Sequence, residues 1–435
     1  VNIVMMTNTF TPHVSGVARS VADFTEAYRR RGHRVLVVAP EFPDRPADEP
    51  DVVRIPALQN FNGSDFSVVL PVPGPLNDAL QAFQPDIIHA HQPFLIGSTA
   101  LRVALERDAP LVFTHHTMYE AYTHYVPGDS AALQRFVVAL STSYANSCDR
   151  VFAPSESIAR VLTDRGVDAP LQVVPTGIDR QAFVAGDGRR GRQAHGIPAD
   201  ARVVGHVGRL AEEKNPLAVA RAMLRVAEAD PRVHALVVGD GPAAAELDAV
   251  FAGAGLSHRL HRPGALRLPA LADAYAAMDV FAFASFTETQ GMVLAEAMAA
   301  GVPVVALDAP GAREVVNDRN GRLLPAEADS ADMAAAIQSL LALPADRRVA
   351  LDQAVAETAR AVSLDECADR AIRAYQDCLQ QRRQSGVPRH VDRASARGDW
   401  HRSVRRVQAE WAVIRGMARA AGRALTGGED ARAGH

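Results

Sequence analysis

At 435 residues with 48% apolar side chains, the chain exceeds one ordinary domain and can fill two or three cores. It has no apolar run of about 18 residues, which rules out a conventional membrane-spanning helix. Its three scattered cysteines, Cys148, Cys367 and Cys378, offer neither a disulfide framework nor a zinc-ligand spacing, and suit buried thiols in a reducing cytoplasm.

The formal charge of −4 conceals an acidic body and a basic tail. Residues 380–435 hold twelve arginines against five acids, leaving 34 basic and 45 acidic residues elsewhere, so an anionic partner is to be sought at the tail. Val1–Met6 lacks the basic region and cleavage site of a secretory leader, and none is expected there. Asn2–Met6 reads instead as a buried strand, followed by a loop holding Pro12 and Gly16 and a helical stretch over Val17–Arg31. Arg34–Ala39, Asp86–Ala90, Leu111–Thr114, Val151–Ala153 and Gln172–Val174 read as further strands with helical stretches between them. Such alternation predicts parallel β-α-β units in a doubly wound sheet.

A polar, Gly- and Arg-rich stretch, Ala185–Gly196, is expected to separate this series from a second one. Val203–Val207, Val233–Val238, Leu260–Arg262, Val280–Phe283 and Val302–Ala306 are its strands. The fold class is therefore α/β: one Rossmann-like domain over residues 1–180 and another over 196–360. A helix over 364–383 is expected to pack back on the first domain, with a basic tail from 384 to 435. The carboxyl ends of both sheets are expected to face a common crevice, where open parallel sheets bind ligands. The fold alone names no chemistry.

The loops carry the chemical signals. Gly205–Leu210 ends a strand, and Glu213–Pro216 leads into a helix. Arg209 and Lys214, five residues apart at that crossing, suit a diphosphate: a guanidinium grips two oxygens while an ammonium neutralises another. Lys214 is the sole lysine beside 45 arginines, which favours a point charge with a dedicated role over an ordinary surface cation. Glu288 and Glu296 lie eight residues apart, one in a loop and one about two turns into a helix, too far apart for an i, i+4 pair. They suit different parts of one extended ligand, with the N–H groups near Gly291, Met292 and Val293 at a helix start for the phosphate or sugar between. Taken alone, Glu296 would read as a solvated helix-face residue.

Together, Gly205–Asn215 and Glu288-x7-Glu296 resemble family 4 of the retaining glycosyltransferases, which have the GT-B fold; the likeness covers residues 1–380. It implies that Glu288 contacts the transferred sugar, Glu296 the ribose, and Arg209 with Lys214 the diphosphate. Gly16 matches a glycine loop whose backbone approaches the diphosphate from the N-terminal domain, with Ser15 a departure from the usual Gly or Asn. His116, in Thr114–Tyr119, matches the histidine beside the transferred sugar. Its neighbour His115 does not, since adjacent residues of an extended segment point apart. His89 and His91 alternate and can face one side, which reads as a polar cluster near the acceptor. The chain contains no Asp-x-Asp to hold a divalent cation on the diphosphate. The resemblance implies metal-independent transfer with retention and no enzymic nucleophile, with the nucleotide sugar as co-substrate and no cofactor.

The wording of His116–Tyr125 and Thr287–Gly291 is similar to bacterial diacylglycerol glucosyltransferases, with Gln290 where Phe is common. This implies glucose transfer from UDP-glucose to diacylglycerol on the cytoplasmic face of the membrane. A GDP-mannose mannosyltransferase acting on a glycolipid or phosphoinositide is the alternative. A sugar-nucleotide epimerase would also pair two Rossmann-like domains, but would not be expected to carry both motifs, and a non-catalytic binding protein would have little reason to keep every ligand position.

In the tail, Val404, Val407, Trp411, Ile414, Ala418, Ala421 and Leu425 recur at three- and four-residue spacings, with Arg402, Arg405, Arg406, Arg415, Arg419 and Arg423 off that stripe. Both tryptophans, Trp400 and Trp411, fall in this stretch. The pattern predicts a basic amphipathic helix lying on an anionic membrane through residues 389–425; the same spacing also permits a coiled-coil dimer.

Overall fold

The structure is a computed structural model that describes residues 1–13, 15–42, 45, 48–58, 68–69, 73–120, 130–286, 288 and 290–384. The tail stripe and the stretch Ala121–Tyr125 lie outside the described residues. Contacts divide the chain into two compact units, one holding Val1–Val174 with the helical residues 368–384, the other Pro175–Cys367.

The first unit runs β1 (Asn2–Met6), α1 (Gly16–Arg30), β2 (Arg34–Pro40), β3 (Val52–Ile55), β4 (Ala57–Leu58), β5 (Val68–Val69), α2 (Pro73–Phe83) and β6 (Ile87–Ala90). It continues with α3 (Ile96–Arg107), β7 (Leu111–Thr114), α4 (Ala131–Ala145), β8 (Arg150–Ala153), α5 (Glu156–Asp164) and β9 (Leu171–Val173). Seven strands form one sheet in the order β3-β2-β1-β6-β7-β8-β9, all parallel. After their first residues β1 and β2 are unbroken, buried apolar runs, as expected of strands covered on both faces of a parallel sheet. Ile3 pairs Val35 on one side and Ile87 on the other. Helix α1 starts where the Ser15 side chain accepts from Ala18 N–H, and buries Ala18, Val21, Phe24 and Tyr28 at helical spacing.

The second unit runs α6 (Arg180–Val184), α7 (Gly188–Ala194), β10 (Arg202–Val207), α8 (Pro216–Ala229), β11 (Val233–Val238), α9 (Ala244–Gly253), β12 (Leu260–Gly264) and α10 (Ala270–Ala276). Then follow β13 (Val280–Phe283), α11 (Met292–Ala299), β14 (Val304–Leu307), β15 (Gly321–Leu324), α12 (Ser330–Leu341), α13 (Ala345–Ala361) and the start of α14 (Leu364–Gln384). Its six-stranded sheet is ordered β12-β11-β10-β13-β14-β15 and is also parallel throughout.

Each sheet reverses its winding once, beside β1 and β6 in the first unit and beside β10 and β13 in the second. The loops after those four strands are where ligands of open α/β sheets are held.

Two boundaries differ from the sequence expectation. The chain passes into the second unit at Pro175. The stretch Ala185–Gly196, expected as a polar break, holds α7 instead, fastened to α10 by Arg190 on Asp273 at 2.5 Å and to Asp279 by Arg192 at 3.1 Å. Its arginines are therefore structural ion-pair donors. From Ala368 onward α14 groups with the first unit: Asp369 meets Arg31 at 2.6 Å, Arg382 meets Asp108 at 2.7 Å, and the Tyr375 hydroxyl lies 3.1 Å from that of Tyr28.

Candidate active site

In the second unit the loop after β10 tightens into a 3₁₀ turn over Glu212–Lys214. Asn215 then adopts the left-handed conformation, and Pro216 opens α8. This geometry swings Lys214 toward the loop after β13. Its Nζ donates to Glu288 Oε1 across 2.6 Å, with the two side chains 23% and 20% exposed. The two residues assigned from sequence to neighbouring parts of a ligand thus touch directly. Arg209 is 60% exposed and pairs with the Glu213 carboxylate one turn on. Behind them, His206 at the end of β10 is buried. Its Nδ1–H donates to the Ala282 carbonyl at 3.0 Å, which leaves Nε2 a bare acceptor with no partner among the described residues. Burial holds its pKa below the ordinary value, partly opposed by that hydrogen bond and by the nearby Glu288 charge.

Glu288 sits on a loop with no spare room behind it. Gly291, the residue capping α11, has φ +66°, and a side chain there would meet the Gly311 carbonyl. Gly311, with φ +83°, would place a Cβ 2.7 Å from that of Glu288 and 2.9 Å from Gly291 N. Gln290 is buried and its Oε1 accepts from Thr176 N–H at 2.6 Å. Met292 and Val293 follow at the open first turn of α11, where N–H groups lack intrahelical acceptors. Glu296, about one turn into α11, is 3% exposed. The hydroxyl of fully buried Tyr275 donates to its Oε2 at 2.8 Å. Glu296 is thus no solvated helix-face residue; it is a buried carboxylate braced from α10.

In the first unit Gly16 begins α1, and apart from its chain neighbours and its own helix no described atom lies within 4 Å of where its side chain would stand, so the helix start is open to close approach. Ser15, a departure from the family pattern, is the helix cap. His116 follows β7 and is half-buried, its Nε2 lying 2.8 Å from His91 Nδ1. The His89 and His91 rings share one side, 4.2 Å apart. His115 points the other way and meets Phe113 and Tyr119 edge to face. His89 is held at both nitrogens, by Thr114 Oγ1 at 2.7 Å and the Tyr375 hydroxyl at 2.7 Å. Among the described residues no three His, Cys, Asp or Glu side chains gather as a metal-ligand set.

Burial dominates the titration of this cluster. It pushes His89 and His115 down to about 3, His91 well below the ordinary value and His116 to about 4. Neighbouring histidines push the first three further down, as does Arg165 for His115. These imidazoles are neutral at pH 7.

Two Rossmann-like units, each with a parallel sheet, match the GT-B architecture. The family model described as Glycosyltransferase Family 4 matches residues 14–182, and one described as Glycosyl transferases group 1 matches 201–343. The chain belongs to glycosyltransferase family 4. It is similar to an alpha-monoglucosyldiacylglycerol synthase of Streptococcus pneumoniae, with 28% identity over 78% of each chain. It is also similar to a GDP-mannose-dependent alpha-mannosyltransferase of Mycolicibacterium smegmatis, with 32% identity over 78% of this chain and 88% of the relative. Among solved structures, Anabaena Alr3699/HepE in complex with UDP superposes with a TM-score of 0.67 at 21% identity, over 87% of this chain and all of that one.

Sequence reasoning had no signal for Gly311, Tyr275 or the His91–His116 contact, because each acts through a neighbour distant along the chain. Gly239 belongs with them: a side chain there would stand 1.9 Å from the Gly208 carbonyl, so it shapes the loop that carries Arg209.

Proposed function

We propose that this chain is a retaining, metal-independent hexosyltransferase that moves glucose from UDP-glucose to diacylglycerol at the cytoplasmic face of the membrane. The observation that carries the reading is the Lys214–Glu288 contact joining the two switch-point loops. An ammonium has three N–H donors, so Lys214 can hold Glu288 with one and turn the others to a diphosphate. Glu288 is then fixed to accept from hydroxyls of the attached sugar. A planar guanidinium in that place would commit its fork to the carboxylate, which accounts for the one lysine retained.

Arg209 exchanges Glu213 for phosphate oxygens, and the open starts of α11 and α1, at Gly291–Val293 and Gly16, supply further N–H groups. Glu296, oriented by Tyr275, takes the ribose. Such charge-assisted donors stabilise the departing diphosphate without a divalent ion. The acceptor hydroxyl attacks from the face that the diphosphate leaves, and a leaving phosphate oxygen takes its proton, so no protein nucleophile is required. His116 lies beside the transferred sugar. The Arg-rich residues 389–425 bring the enzyme to an anionic lipid surface, each arginine adding about 1 kcal/mol of attraction.

The named activity of the S. pneumoniae relative supports glucose and diacylglycerol, and the UDP complex of HepE supports the uridine donor. The second reading, mannose from GDP-mannose to a glycolipid or phosphoinositide, is favoured by the higher identity to the mycobacterial mannosyltransferase. Lipid mass spectrometry after incubation with UDP-glucose or GDP-mannose separates them. A hexosyl diacylglycerol formed from UDP-glucose alone supports the first reading; a product formed from GDP-mannose alone replaces it with the second.

A further inference from the structure

His91, directly after β6, is 1% exposed, and its buried Nε2 has no hydrogen-bond partner among the described residues. Its backbone N–H is held by the Met6 carbonyl at 2.9 Å. Its ring is flanked by His89, itself pinned at both nitrogens by Thr114 and Tyr375. On the other side lies His116, with ring centroids 5.2 Å apart and the planes 26° apart.

A hydrogen bond between two neutral imidazole nitrogens needs one N–H and one lone pair, so each ring dictates the tautomer of the other. Were His116 the donor through Nε2, the single proton of His91 would sit on its own Nε2, as a buried N–H with no acceptor. An orphaned N–H is rarer in native structures than an under-satisfied acceptor. The bond therefore runs from His91 Nδ1–H to the lone pair of His116 Nε2, and the proton of His116 resides on Nδ1, which takes no protein partner among the described residues. The groups facing the pair supply no charge to reverse this. Among the described residues the titratable groups that act on the pair are His89 and His115, both neutral at pH 7, and Thr114 and Tyr375 reach it only through His89.

We propose that His91 is a positioning residue that fixes the ring orientation and tautomer of His116, so that His116 presents Nδ1–H as a hydrogen-bond donor to the bound sugar. This rests on the placement of His116 beside the sugar under the proposed function. The His116 ring then serves the sugar only as a donor, because with Nε2 occupied by His91 and Nδ1 protonated, neither nitrogen is a base.

Nitrogen-15 spectra of the full chain labelled at histidine read the tautomers directly. The expected result is His116 protonated at Nδ1 in the wild-type protein. His91→Leu should release the ring to the other tautomer and lower kcat for glucose transfer from UDP-glucose to diacylglycerol by roughly tenfold to a hundredfold, with a smaller change in KM for UDP-glucose. His91→Asn, whose amide can donate from the same position, should restore most of both. A wild-type His116 protonated at Nε2 overturns the inference without any variant. So does a His91→Leu protein with unchanged tautomer and kcat while His116→Ala is impaired. A fully active His116→Ala variant would instead refute the placement of His116 beside the sugar.

Discussion

Acidification from pH 6.5 to 5.5 is expected to remove about 3 kcal/mol of stability through His89, His91 and His115 alone. Each is buried neutral, with a folded pKa far below the ordinary 6.5. The unfolded chain therefore binds protons that the folded chain refuses, and stability falls as pH drops. Across that interval a histidine of ordinary pKa in the unfolded state contributes a loss of about 1 kcal/mol. The loss continues until the folded pKa is reached, near 3 for His89 and His115, and His116 and His206 add in the same direction. The window lies above the carboxylate range, so histidines dominate it.

Urea melts at pH 7.5, 6.5 and 5.5 measure the effect, and His115→Leu isolates one contributor. Both ring nitrogens of His115 lack partners among the described residues, so replacing the ring with a side chain of similar volume should cost nothing at pH 7.5 and can gain about 1 kcal/mol. It should also reduce the acid loss by about 1 kcal/mol. A wild-type protein equally stable at pH 6.5 and 5.5, or a His115→Leu variant with the same acid loss, would refute the reasoning.

Calorimetry with UDP should show donor affinity weakened about tenfold or more in Lys214→Ala, since a charge-assisted contact is worth about 1.5–3 kcal/mol; Lys214→Arg should stay impaired although it keeps the charge. Gly311→Ala places a methyl against the backbone under Glu288 at a left-handed φ, and should cost about 2–4 kcal/mol in urea unfolding, with loss of UDP binding. Deleting residues 386–435 should leave UDP affinity unchanged and lower sedimentation with anionic liposomes, more so than with neutral ones; full binding by a truncated protein that has become monomeric favours the dimer. Activity should survive EDTA; complete loss, restored by Mg²⁺ or Mn²⁺, would remove the metal-free diphosphate site.

The doubly wound architecture was legible because β1, β2 and β13 are largely apolar runs that end at polar loops, a pattern local enough to read residue by residue. The edge strands β3 and β15 escaped notice: they are four residues long and mostly half-buried, so their apolar signal is diluted. The same locality limits the candidate site. Lys214 stood out by composition and Glu288 by motif, but their 2.6 Å contact spans 74 positions. Gly311 beneath Glu288, and Tyr275 against Glu296, are steric and hydrogen-bonding complements whose identity depends on what folds against them. Gly and Arg residues in Ala185–Gly196 carried a linker signal, yet Arg190 and Arg192 find carboxylates on and after α10, and tertiary pairing overrides composition there.

Proton NMR of the full chain incubated with UDP-glucose and diacylglycerol in mixed micelles, following donor and product anomeric signals together, tests the proposed chemistry most directly. The expected result is loss of the α-configured donor signal with appearance of an α-linked glucosyl diacylglycerol, and loss of this conversion in Lys214→Ala. A β-linked product would contradict retention; conversion of the donor to its epimer without a lipid product would contradict glycosyl transfer itself.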